Sequence, residues 1–181
     1  MKYIYIIIIF ITACQTATVQ DHTSTGKEYF DLKGLVQQDI DTNTQRQYSE
    51  LKSIRIDGKQ ETKQLDTVDW NKELKTIFES DINKPNWEGK YQVQTTPDKK
   101  EYLYTTQSPK LPIRSMKVQY ASASDAVVLV EIEKKIGSFL FSNQQFIQYI
   151  PHQSFKITAK QSAVFMQDFN SEIDVKFLPH K

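Results

Sequence analysis

The chain has 181 residues, with 23 Lys and Arg against 22 Asp and Glu and a single cysteine. A net charge this close to zero gives no counterion-release drive towards nucleic acid, and a lone cysteine excludes an internal disulfide framework. Hydrophobic and aromatic contents of 39% and 12% exclude a disordered chain, and the length suits one domain with one core.

The chain opens on Met1-Lys2-Tyr3, an apolar run from Ile4 to Ile11, and then Thr12-Ala13-Cys14. A basic residue, a greasy core and small residues before a cut are the three parts of a secretory signal. The run falls well short of the ~20 apolar residues that a membrane-spanning helix needs. Ile11-Thr12-Ala13-Cys14 also resembles a bacterial lipobox, which implies that Cys14 is lipidated and that 181 − 13 = 168 residues remain after cleavage. A secreted protein with a chance cysteine at that place and an uncleaved anchor are the blander alternatives. Each buried methylene of an acyl anchor contributes about 0.8 kcal/mol, so two or three chains hold a domain on its membrane essentially permanently. Gln15 follows the cysteine, where Asp would signal inner-membrane retention in some bacteria. The expected location is therefore the cell envelope, lipid-anchored, with the outer membrane permitted.

Residues 14–26 are mostly Thr, Ser, Gln and Ala without hydrophobic period, and are expected to form a flexible tether spanning about 20 Å. The folded domain is expected over 27–181. From Glu28 to Asp41, Tyr29, Leu32, Leu35, Val36 and Ile40 recur at helical spacing, with Gly34 a weak point. Ser53 to Thr62 alternates on either side of Asp57-Gly58, a two-residue hairpin signal whose second, charged strand suits a sheet edge. A second helix is expected from a cap at Asp66 or Thr67 to about Ser80, with Trp70, Leu74, Ile77 and Phe78 on its apolar stripe. Asn83-Lys84-Pro85 stops it.

Beyond Trp87 the period becomes two. Strands are predicted at about 90–95, 101–106, 113–120, 126–134, 138–149, 154–161 and 172–178, separated by turns such as Thr96-Pro97-Asp98-Lys99 and Gly137-Ser138. Seven short strands imply an antiparallel meander with one wet and one dry face. Two helices and a hairpin stand earlier in the chain, so the predicted class is α+β, with the helices packed on one face of a curved sheet.

Chemistry-bearing residues are sparse. The three histidines, His22, His152 and His180, have no metal-ligand spacing, and no nucleophile elbow, zinc motif, phosphate loop or dinucleotide fingerprint occurs. His152, beside Pro151 in a predicted connection, reads as a turn residue. Glu131 and Glu133 share a strand face, where lysines such as Lys117 or Lys134 would pair with them; Asp66, Asp69 and Glu73 read as helix-capping and dipole acids. No enzyme, metal or cofactor is expected.

Aromatic residues are the feature least easily dismissed. Tyr102, Tyr104, Tyr120, Phe139, Phe141 and Phe155 recur along the predicted sheet. They either fill a core under the helices or line an apolar groove for a ligand.

Tyr29-Phe30-Asp31-Leu32-Lys33, and Ser80 to Pro85 with Trp87, resemble stretches of small uncharacterised lipoproteins of the Bacteroidetes. That resemblance implies only the lipid-bearing role of Cys14. The order helix, hairpin, helix and meander is similar in architecture to the half-barrel lipoprotein-carrier fold, in which a curved sheet and helices enclose acyl chains. Two functions are thus expected as alternatives. One is a membrane-tethered, non-enzymatic lipoprotein binding an apolar ligand or lipid; the other is an accessory subunit docking on an envelope protein complex.

Overall fold

The computed structural model describes residues 27–164 and 166–179. Tyr29 and Phe30 lead into α1 (Leu32–Gln45), which starts later than its apolar period does because Asp31 caps it. The Asp31 carboxylate accepts the backbone N–H of Gly34 at 2.8 Å. That contact also explains the glycine: a Cβ on Gly34 would stand 2.5 Å from Asp31 Oδ2, so a side chain here would displace the cap. The hairpin follows as β1 (Ser49–Ile56) and β2 (Lys59–Leu65). Asp57 and Gly58 both take positive φ, 45° and 87°, as a two-residue turn requires.

The expected second helix is two short ones, α2 (Trp70–Glu73) and α3 (Lys75–Phe78), and a 3₁₀ turn at Pro85–Trp87 adds a further helical piece. The cap is Asp69 rather than Asp66 or Thr67, accepting the N–H of Lys72 at 3.3 Å. Leu74, with φ −88° and ψ 1°, interrupts the helical run. The remaining strands are β3 (Gln92–Thr95), β4 (Glu101–Thr105), β5 (Ile113–Tyr120), β6 (Val127–Gly137), β7 (Phe141–Ile150), β8 (Ser154–Ala163) and β9 (Met166–Leu178).

Among the described residues nine strands form one antiparallel sheet in the order β2-β1-β9-β8-β7-β6-β5-β4-β3. Seven come from the expected meander, and the hairpin adds two by pairing β1 with β9, Ser49 opposite Leu178. The protein is therefore mostly β with a few short helices. β2 is an edge strand, exposed along its whole length and built of Lys, Gln, Glu and Thr up to Leu65. That composition discourages edge-to-edge pairing.

Side chains on the two faces differ sharply. The outer face carries ion pairs and amide contacts, such as Lys156 to Glu172 at 2.9 Å and Lys117 to Glu131. On the inner face, Val130, Tyr149, Phe155 and Val175 lie in register across β6, β7, β8 and β9. All four are buried, in one cluster with Leu32, Val36 and Ile40 of α1 and with Trp70, Leu74 and Ile77 of α2 and α3. The Trp70 ring meets Phe177 edge-on at 4.8 Å, and Tyr29 meets Tyr104 at 6.1 Å. Helices therefore cover the inner face, but only part of it. A 14-residue helix such as α1 is about 21 Å long, whereas a 13-residue strand such as β9 runs about 44 Å.

Candidate functional site

Where the helices stop, the inner face continues. One transverse row makes the boundary visible: Ile132, Ile147, Ile157, Ile173 and Ile54 stand side by side on β6, β7, β8, β9 and β1. Ile132 and Ile147 have no exposed surface, Ile157 has 9%, and Ile54 at the end of the row has 36%. The next row towards the distal end is Lys134, Gln145, Ala159, Ser171 and Ile56, and beyond it come Ile136, Asn143, Gln161 and Phe169. In this distal region Ile56, Ile136 and Phe141 are exposed. The face is mixed in character, since amides of Asn143, Gln145 and Gln161 stand among the apolar side chains. A small cavity of about 200 Å³ lies against Phe141, Ala163 and Phe169.

The rings singled out in the sequence divide between the two regions. Tyr102, Tyr104 and Phe155 are about 2% exposed each and belong to the covered core. Tyr120 is half-buried against Tyr102, with ring centroids 5.8 Å apart. Phe139, by contrast, is 93% exposed at the tip between β6 and β7, and Phe141 stands at the start of β7. These six residues do not come together as one aromatic surface. Strand alternation is the same for a side chain beneath a helix and for one beyond its end, so the sequence put both sets on one face without separating them. Cys14, His22 and His180 lie outside the described residues.

A larger cleft, about 620 Å³, opens where α1 and α3 meet β5 and β6. Phe78, Pro112, Ile113 and Ile136 give it apolar walls, while Lys33, Lys84 and Lys134 stand around it. Ile136 belongs both to this cleft and to the uncovered part of the sheet face.

Two buried carboxylates escaped the sequence reading. Asp39 has no exposed surface, and its Oδ2 accepts the Tyr149 hydroxyl at 2.5 Å and the backbone N–H of His152 at 2.8 Å. Its Oδ1 pairs with His152 Nδ1. Burial, followed by the Asp39 charge and hydrogen bond, pushes the Tyr149 hydroxyl far above its usual range. Asp39 thus fastens the β7–β8 turn to α1, and holds His152 at a φ of 63°. The arrangement orients an imidazole as a catalytic dyad would, but no hydroxyl or thiol nucleophile is hydrogen-bonded to that imidazole among the described residues. A signal for Asp39 was present, since Leu32, Val36, Asp39 and Asn43 repeat at helical spacing. A charged residue on an apolar stripe needs a buried partner.

Glu50, at the start of β1, is also without exposed surface, and neither carboxylate oxygen has a hydrogen-bond partner among the described residues. Its pKa is pushed up to about 7, first by burial and then by the neighbouring Glu73 carboxylate, with Lys52 opposing. Lys52 itself is held by Glu73 at 2.5 Å and 2.7 Å. Among the described residues no group of three or more His, Cys, Asp or Glu could hold a metal ion, and no helix is long and apolar enough to cross a membrane.

No protein-family model, curated protein or solved structure matches this chain. Fold alone would not fix a function in any case, and the site has to carry it.

Proposed function

We propose that this protein is a non-enzymatic binding lipoprotein of the bacterial cell envelope, tethered by acyl chains on Cys14, that holds an apolar ligand or lipid against the uncovered part of its sheet face. The observation that supports this most is the continuation of the inner face beyond the helices, with Ile56, Ile136 and Phe141 each more than 40% exposed. Large apolar side chains left open on a sheet face mark a place where something else can be buried. The cleft beside it, at about 620 Å³, falls within the ~300–1,000 Å³ of small-molecule sites.

Native mass spectrometry of the full chain, extracted gently, tests the reading. Added mass matching a lipid or fatty acid, lost on Phe141→Asp, is the expected result; an apo mass that no added lipid changes overturns it. For the anchor, Cys14→Ser should move the protein from the membrane to the soluble fraction.

A second reading is favoured by a separate feature. Phe139, Leu140 and Val164 are 93%, 57% and 57% exposed, and the two strand tips that carry them are joined by a hydrogen bond from the Val164 N–H to the Leu140 carbonyl at 3.1 Å. An apolar knuckle of this kind suits docking on an envelope protein. On that reading the purified protein carries a stoichiometric protein partner, lost on Phe139→Ser, and no lipid.

A further inference from the structure

The cleft between the helices and β5–β6 is not neutral ground. Its three lysines arrive from separate segments: Lys33 on α1, Lys84 just after α3, and Lys134 on the inner face of β6. None of them is in an ion pair among the described residues. Lys33 lies over the Phe78 ring at 4.9 Å, and Lys84 over the Trp87 ring at 4.2 Å while donating to the Glu79 carbonyl at 3.1 Å.

The two carboxylates at the cleft attract Lys84, but each is also engaged by another partner. Asp81 is buried and turned to Asn83, whose backbone N–H and side-chain amide it accepts, each at 3.2 Å. Glu79 leans instead towards Lys75 at 3.8 Å. Burial holds Lys84 below the usual lysine range against the attraction of Asp81, with Lys134 acting in the same direction as burial to a smaller extent and Glu79 opposing. Three lysines face two carboxylates in the lining, so the cleft keeps a surplus of positive charge that attracts an anion.

The apolar walls say what kind of anion. Phe78, Pro112 and Ile113 back the cleft, and Ile136 carries the apolar surface on towards Phe141 at the far end of β6 and β7. A wholly hydrophilic anion would leave that surface wet. At about 620 Å³ the cleft has the size of a small-molecule site.

Resting on the binding function proposed above, we infer that the ligand is a fatty acid, with its carboxylate between Lys84 and Lys134 and its chain lying over Ile136 towards Phe141. Charge fixes which end enters the cleft, and the open sheet face accepts the chain.

Fluorescence titration of the full chain with cis-parinaric acid, and separately with its methyl ester, tests head and chain apart. The acid should bind about ten-fold more tightly than the ester, the factor expected of a charge-assisted contact. The double variant Lys84→Gln/Lys134→Gln should remove that preference and leave the ester unchanged. Lys59→Gln/Lys63→Gln, which removes the same charge from the exposed β2 edge, should alter neither. Equal binding of acid and ester, unaffected at Lys84 and Lys134, would overturn the head-group site while leaving the groove standing. Failure of both probes to bind would overturn the groove, and the fatty-acid assignment with it.

Discussion

The inner face of the sheet is built as one surface and finished as two. Across β6 to β9 the same alternation puts Tyr149 and Phe155 in the core and Phe141, at the other end of β7, in the open. What separates them is the cover. α1, α2 and α3 are too short for the strands beneath them, so the proximal rows are sealed and the distal rows are left to solvent or to a ligand. Alternation reports that a face is apolar, whereas helix length decides how much of it is closed.

The sharpest way to break this comparison is at Trp70, the anchor of the covered half. Trp70→Ala should destabilise by about 3–5 kcal/mol in chemical denaturation, as removal of a fully buried aromatic does. An effect of ~1 kcal/mol would mean that α2 is not part of the seal.

Glu50 tests the covered half through pH. Its carboxyl has a folded value near 7 against an ordinary 4.5, so the unfolded chain releases the proton first as pH rises. The contribution of this group is fully present below 4.5 and is lost as pH rises through about 7, a swing on the order of 3 kcal/mol. Glu50→Gln should flatten that part of the stability profile and leave the variant more stable than the parent at pH 8. An unchanged slope would show that Glu50 is solvated.

Tyr149→Phe should cost about 2 kcal/mol, because it takes one hydrogen bond from a buried carboxylate. It should also loosen the β7–β8 turn, read as faster amide exchange around His152. In the open half the expected effect is smallest. Phe141→Ala should change stability by less than about 0.5 kcal/mol, yet weaken binding of a lipid probe. Loss of several kcal/mol there would mean that Phe141 is core after all.

Much of the fold was legible. The Asp57-Gly58 hairpin, the polar edge at β2, the apolar stripe through Trp70 and all seven meander strands followed from period and turn chemistry. The start of β9 at Met166 was not, because Asp168 and Asn170 lend its first half no apolar period. Nor was the pairing of β1 with β9, since period carries no information about which strand lies beside which. The lysine cleft was invisible for the same reason: Lys33, Lys84 and Lys134 are about fifty residues apart from one to the next and share no motif. Asp39 was legible in principle, as a carboxylate on an apolar stripe, but its partners Tyr149 and His152 are more than a hundred positions away.

The place of β9 in the sheet has a temporal side. It lies between β1 and β8, so the β1–β2 hairpin has no partner for its β1 edge in this sheet until β9 emerges. From Ile56 to Met166 a ribosome needs roughly 5–20 s at ~5–20 residues per second. Throughout that interval the pairing edge of β1 stands open to other chains, and contacts of such long range also slow the final folding step. Shortening the delay, by moving β9 ahead of β1 in a circular permutant, should speed refolding and leave the finished sheet unchanged.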